Sequence, residues 1–144
     1  MPDREFDEMP LVTVQLPVFN EMHVVDRLLD AVAALGYPQG KLQIQILDDS
    51  TDETVEISEA GAARLRDKGF DAVCIHRTDR TGFKAGALEN GMKIAKGDYI
   101  LILDADFVPN PDLLQETIHH FTNDKIALVP VSYTHLTLPT TPYV

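Results

Sequence analysis

The run Tyr99-Ile100-Leu101-Ile102-Leu103 is preceded by Gly97-Asp98 and followed at once by Asp104-Ala105-Asp106. A strand with no polar face has to be covered on both sides, as inner strands are in a parallel sheet between layers of helices. A second run, Leu42-Gln43-Ile44-Gln45-Ile46-Leu47, leads in the same way into Asp48-Asp49-Ser50-Thr51-Asp52. Two aspartates one residue apart at the carboxyl end of a strand can face one crevice, where a shared hard divalent cation relieves their repulsion. Two acidic strand ends of this kind suggest one site.

Further runs extend the pattern. Leu11 to Leu16, Ala72 to Ile75 and Ile126 to Val131 also read as strands, and helical spacings fill the gaps between runs. The alternation predicts an α/β fold: a Rossmann-like, mostly parallel sheet with helices on both faces. Val24, Val25, Leu28, Leu29, Val32 and Leu35 recur at steps of three and four, with Asn20 as the expected N-cap and Gly36 as the stop. Ser50 and Glu53 have capping-box spacing for a second helix through Ala62, Leu65 and Lys68, ended by Gly69. A third, shorter helix is expected from about Ala85 to Ala95. Asn110-Pro111 should open a fourth, through Leu113, Leu114, Ile118 and Phe121.

At 144 residues the chain has room for one compact domain. Its 44% hydrophobic and 24% charged residues suit a soluble globular protein, and no apolar run approaches a bilayer span. Met1 to Glu8 lack the basic flank and apolar stretch of a secretory signal, so the chain is expected to begin on the cytoplasmic side. A formal charge of -11 argues against nucleic acid as a partner, since counterion release needs clustered cations. Cys74 is the only cysteine and lies in an apolar stretch, where a buried core residue is expected rather than a nucleophile. His119 and His120 are adjacent on the expected fourth helix, point about a hundred degrees apart and read as solvated. Ser132 to Val144 differs from the rest: it has no charged residue, four threonines and two prolines. It reads as a foreign or disordered end, with an extended edge segment around Thr137 to Thr141 as the alternative.

Ligands of open α/β sheets bind beyond the carboxyl ends of the strands. Here those ends carry Pro17-Val18-Phe19-Asn20-Glu21, Asp48-Asp49-Ser50, His76-Arg77 and Asp104-Ala105-Asp106. No GxGxxG is present, and Gly82-Phe83-Lys84-Ala85-Gly86 lacks Walker spacing, so neither a dinucleotide fold nor a P-loop is supported. His76, Arg77, Arg80 and Lys84 nevertheless cluster in an otherwise acidic chain, interleaved with Gly82 and Gly86 and just ahead of a helix. Cations and backbone N–H groups so placed suit a diphosphate beside a metal.

Four segments, Val14 to Glu21, Ile46 to Asp52, Arg80 to Leu88 and Asp104 to Phe107, resemble in order the motifs of the processive family-two glycosyltransferases of GT-A fold. Within that family the segments resemble those of the cellulose-synthase-like glucan and mannan synthases, over roughly residues 10–131. The resemblance implies a nucleotide-sugar site made of Pro17, Phe19, Glu21, Asp48, Asp49, Arg80, Lys84 and Asp104, with Asp104 and Asp106 on a Mg or Mn ion. Asp49 would accept a hydrogen bond from the base, Pro17 and Phe19 would wall its pocket beside Glu21, and Lys84 would approach the diphosphate or sugar. The donor would be of UDP-glucose or GDP-mannose type, and the reaction an inverting transfer in β-glycan synthesis.

In the family the general base lies in a downstream Thr/Ser-Glu-Asp motif, followed by Gln-x-x-Arg-Trp and transmembrane helices, none of which this sequence contains. The expectation is a donor-binding part inactive by itself, cut from a membrane protein that works at the cytoplasmic face with a glycan acceptor. Residues 1–9 would be a lead-in, 10–131 the nucleotide-sugar-binding part and 132–144 a non-native or disordered tail. Two alternatives stay open at this point. Asp104 to Val108 also fits the DxDx(T/V) motif of haloacid-dehalogenase phosphotransferases, with Asp104 as nucleophile and Asp106 as acid/base. A non-catalytic nucleotide-sugar-binding module is the other.

Overall fold

The computed structural model describes residues 9–105, Pro111, 128–131 and 134–137. Along the chain come β1 (Val12–Val18), α1 (Val25–Ala33), β2 (Leu42–Asp48), α2 (Thr54–Asp67), β3 (Asp71–His76), α3 (Phe83–Met92) and β4 (Tyr99–Leu103). β5 (Leu128–Val131) and β6 (Thr134–Thr137) complete a sheet of order β3-β2-β1-β4-β6-β5. β1 to β4 are parallel, and β6 runs antiparallel to both β4 and β5. The mostly parallel α/β sheet expected from the apolar runs is therefore present. Thr134–Thr137, within the uncharged end, lie in the sheet beside β4, an extended conformation that threonine-rich sequence favours.

The strand order explains where the helices lie. β1-α1-β2 and β2-α2-β3 step in one direction, so right-handed crossovers put α1 and α2 on the same face; β3-α3-β4 steps back past β1, which puts α3 on the other. Side chains alternate accordingly. Val12, Val14, Leu16, Leu42, Ile44, Ile46, Leu101 and Leu103 pack with Val25, Leu28, Leu29 and Val32 of α1 and with Ala62 and Leu65 of α2. The opposite face has a smaller apolar cluster of Leu47, Ala87, Leu88, Ile100 and Ile102.

Amides complete that second face. Thr13, Gln15, Gln43 and Gln45 are buried. Gln45 Nε2 donates to Gly91 O at 2.9 Å, Gln15 Nε2 to Leu88 O at 3.2 Å and Gln43 Nε2 to Ile94 O at 3.1 Å. Carbonyls in the last turns of α3 and just beyond it are thereby tied to the sheet, Gly91 O in addition to the bond it accepts from Ile94 N. Across the strands, Thr13 Oγ1 donates to Gln43 Oε1 at 2.6 Å and Gln15 Nε2 to Gln45 Oε1 at 3.0 Å.

Two helix starts differ from expectation. Asn20 is not the N-cap of α1, which begins after Val24. It adopts a left-handed conformation (φ 50°), and its side chain accepts a hydrogen bond from Thr51 N at 2.8 Å. The Ser50/Glu53 capping box also does not form: Asp52 Oδ1 accepts from Thr54 N at 2.8 Å, while Ser50 Oγ accepts from Asn20 N at 2.8 Å. In both cases a polar residue assigned to a helix instead stitches the loop after β1 to the loop after β2. Gly69 behaves as read: at φ +96° it closes α2, with Gly69 N donating to Arg66 O and Phe70 N to Leu65 O. α3 starts two residues earlier and ends three earlier than expected. The expected fourth helix, with Asn110, His119 and His120, lies outside the described residues. Among the described residues, no helix is long and apolar enough to cross a membrane.

Candidate nucleotide-sugar site

The strand order reverses between β1 and β4, and beyond their carboxyl ends lies a cavity of about 320 Å³. A crevice at this switch point is where open α/β sheets take ligands. It is lined by Pro17, Phe19, Glu21, Asp49, Arg80, Lys84 and Asp104, together with Val18, Leu47, Ala87 and Ala105. Seven of the eight residues inferred as nucleotide-sugar-binding thus converge on one space, although they come from four separate stretches of chain.

Asp48 is the eighth and does not line it. On a strand, successive side chains point to opposite faces, so Leu47 and Asp49 share the cavity side while Asp48 turns towards α2. Asp48 is fully buried; its Oδ1 accepts from Ser50 N at 2.8 Å, and His76 Nδ1 lies 3.6 Å from its Oδ2. Asp48 therefore shapes the loop that presents Asp49. His76 is drawn to the same place, with Nδ1 also 3.0 Å from Asp48 O, and does not join the cations of the cavity.

Arg77 is also occupied. Its Nε donates to Asp49 Oδ1 at 2.8 Å and its Nη2 to Asp49 Oδ2 at 2.6 Å, a bidentate pair 15% and 5% exposed. The hydrogen-bonded carboxylate raises the guanidinium pKa above its ordinary value against the opposing effect of burial. Nη1 and Nη2 further donate to Thr81 O at 3.1 Å and Phe83 O at 3.0 Å. Arg77 thus ties the loop between β3 and α3 to β2, a role different from the phosphate contact its position in the basic cluster suggested. Gly86 makes the loop's tight return possible, since a Cβ there would meet Thr81 O.

Arg80 and Lys84 are the cations this clamp presents to the cavity. The Arg80 guanidinium lies over the Phe19 ring at 3.6 Å from its centroid and 5.2 Å from that of Phe83, a stacked arrangement. Its Nε is buried and has no hydrogen-bond partner among the described residues. Lys84, in the first turn of α3, donates from Nζ to Asp104 Oδ1. Glu21 Oε1 accepts from Phe19 N at 3.1 Å, which fixes the turn that carries the aromatic ring.

Asp104 supplies carboxylate oxygens of the kind a hard divalent cation takes. Asp106 lies outside the described residues, and among the described residues no cluster of three or more His, Cys, Asp or Glu is arranged to hold a metal. One or two carboxylates completed by a ligand's phosphate oxygens is a usual way for magnesium-like ions to bind, so the donor set fits such an ion in company with a diphosphate.

What the sequence reading missed is the Arg77–Asp49 pairing and the amide face behind α3. The second did leave a signal: Thr13, Gln15, Gln43 and Gln45 recur with period two in otherwise apolar strands.

Comparison with known proteins agrees with this geometry. The family model "Glycosyl transferase family 2" matches residues 13–141. Glucomannan 4-beta-mannosyltransferase 2 of Arabidopsis thaliana is 42% identical over 125 residues, 83% of this chain and 23% of that protein. Glucomannan 4-beta-mannosyltransferase 1 of Oryza sativa subsp. japonica is 40% identical over 133 residues, 89% of this chain and 26% of its own length. The chain thus spans about a quarter of these curated relatives. Among solved structures, a mannosyltransferase from Pyrobaculum calidifontis in complex with GDP-Man and Mn2+ is 28% identical with a TM-score of 0.74, over 88% of this chain and 38% of that one. The haloacid-dehalogenase alternative finds no support: its motif follows the first strand, whereas Asp104 follows β4. With this fold, this site and these relatives, the chain belongs to glycosyl transferase family 2 and has the GT-A fold.

Proposed function

We propose that this chain is the donor-binding part of an inverting glycosyltransferase for β-glycan synthesis, with a nucleoside-diphosphate sugar as donor and GDP-mannose favoured over UDP-glucose. One observation carries the reading: Pro17, Phe19, Asp49, Arg80, Lys84 and Asp104 converge on a single cavity at the switch point of the sheet. The preference for a mannosyl donor is supported by the curated relatives, named as mannosyltransferases, and by the Pyrobaculum enzyme solved with GDP-Man.

In this reading the base lies against Pro17 and Phe19, near Glu21, and donates to an Asp49 lone pair that Arg77 leaves unused. Arg80 and Lys84 face the diphosphate. Asp104 and Asp106 would hold Mg or Mn; when bound, the ion offsets the diphosphate charge and makes it a better leaving group. The remaining steps belong to the whole protein: a glycan acceptor, a base outside this chain that takes the acceptor's proton, and attachment to the cytoplasmic face of a membrane. Residues 10–131 constitute the nucleotide-sugar-binding part.

Calorimetric titration of the 144-residue chain with GDP-mannose and UDP-glucose, with Mn2+ and with chelator, tests the proposal. Binding in Mn2+ that falls at least tenfold in chelator and in Asp104→Ala is expected. Absence of binding by both donors in Mn2+ would overturn it.

A further inference from the structure

We propose that Lys84 and the divalent cation compete for the same carboxylate, Asp104, so that the ammonium occupies the metal's place until a diphosphate draws it away. The inference rests on the donor-site reading above and concerns the order in which that site fills.

Each acidic side chain at the cavity already has a donor, and the donors differ in how firmly they are held. Asp49 is bound through two guanidinium nitrogens, at 2.8 and 2.6 Å, by an Arg77 that also holds two loop carbonyls. Releasing it would leave a carboxylate only 5% exposed without its partner and would free the loop. Glu21 accepts from the backbone of its own turn. Lys84 differs: it meets Asp104 through one ammonium on a flexible stem, with the two side chains 51% and 31% exposed. An exposed pair of this kind holds by only a factor of a few, so it exchanges readily.

The donor set points the same way. A hard cation on Asp104 gains further oxygen ligands when a phosphate arrives. The same phosphate offers Lys84 an anionic partner to replace Asp104. Arrival of the diphosphate therefore does two things at once: it removes the competing ammonium and adds ligands for the metal. Metal and nucleotide should bind with positive coupling, a large share of which passes through Lys84. A metal alone, by contrast, has to displace a cation from the carboxylate it needs.

The test measures free Mn2+ by electron paramagnetic resonance during titration of the chain, with and without GDP. Wild type should bind Mn2+ weakly alone and much more tightly with GDP. Lys84→Met should bind Mn2+ alone a few-fold more tightly than wild type, because the competing ammonium is gone, while its GDP affinity falls and the coupling shrinks. Lys84→Gln, equally neutral but of different shape, should show the same rise, and Lys84→Arg should stay near wild type. Arg80→Met removes a cavity cation that does not sit on Asp104 and should leave Mn2+ binding alone nearly unchanged. Unaltered or weaker Mn2+ binding in both neutral Lys84 variants would overturn the exchange, as would an equal rise in Arg80→Met. Failure of GDP to bind wild type in Mn2+ would count against the donor-site reading instead, and the nucleotide-free comparison would still decide the exchange.

Discussion

Replacing Gly91 by alanine should destabilise the domain, although helix propensity alone argues for the opposite. Alanine in a helix interior is favoured over glycine by about 1 kcal/mol. At this position, however, a Cβ would lie 2.6 Å from Gln45 Oε1, 2.9 Å from Gln15 Nε2 and 2.9 Å from Leu47 Cδ2. None of the three can easily move. The two amides are buried and bonded to each other, and Leu47 is packed in the smaller apolar cluster. The helix itself must lift, which stretches the bonds from Gln45 to Gly91 O and from Gln15 to Leu88 O. Overpacking costs about 1–3 kcal/mol and each weakened buried bond about 1 kcal/mol, so the net loss after the propensity gain is about 2–4 kcal/mol. Urea denaturation followed by circular dichroism measures it. Gly40→Ala, where a Cβ would meet nothing within 4 Å, provides the control and should stay within about 0.5 kcal/mol of wild type. Since Lys84 and Ala87 ride on the same helix and line the cavity, Gly91→Ala should also weaken nucleotide binding. A Gly91→Ala protein as stable as wild type would refute the reasoning and show that α3 is not held at that distance by its amide contacts.

Arg77→Met should cost about 3 kcal/mol, since it leaves the Asp49 carboxylate buried without its partner; urea titration should show that adding Asp49→Leu recovers part of the loss. Burial pushes the Cys74 thiol up to about 12, the Asp48 and Glu59 charges adding to the effect, so iodoacetamide at pH 8 should label it slowly in the folded chain and rapidly in urea. Because that folded value exceeds the unfolded one, the protonated thiol's contribution is complete below about pH 9 and is lost as pH rises towards about 12; Cys74→Ala should flatten this part of the stability profile. The Asp79 carboxylate is held below its ordinary pKa by the Thr81 hydroxyl and then by Thr81 N–H, so its contribution is present above the unfolded value and lost as pH falls through the folded one. Asp79→Asn should remove that acid-side dependence from the stability profile.

The sheet was legible because burial on both faces leaves a one-dimensional trace. The apolar run at Tyr99–Leu103 marks β4 without error, and the run at Leu42–Leu47 marks β2 to within a residue. The acidic strand ends and the basic loop were visible for a related reason: charged groups gathered at strand ends are costly unless they serve a ligand or one another. Family motifs at Pro17, Asp49, Lys84 and Asp104 then named the site, and these residues do meet at one cavity.

Pairing was not legible, because sequence lists charges without saying which of them touch. Arg77 and Asp49 are 28 residues apart, and only the register between β2 and β3 brings them into bidentate contact. Asn20 and Ser50 carried helix-cap signals, but the adjacency of β1 and β2 offered each a partner across the loops, and the tertiary hydrogen bond displaced the local one. The sequence by itself determined the alternation of strands and helices and the residues available for chemistry, since burial and charge act at each position along the chain. Only the tertiary structure decided that Asp48 turns inward while Asp49 faces the cavity, that Arg77 is a clamp, and that Lys84 rests on Asp104. Those outcomes depend on side-chain alternation and strand order, which become distances only when the sheet has closed.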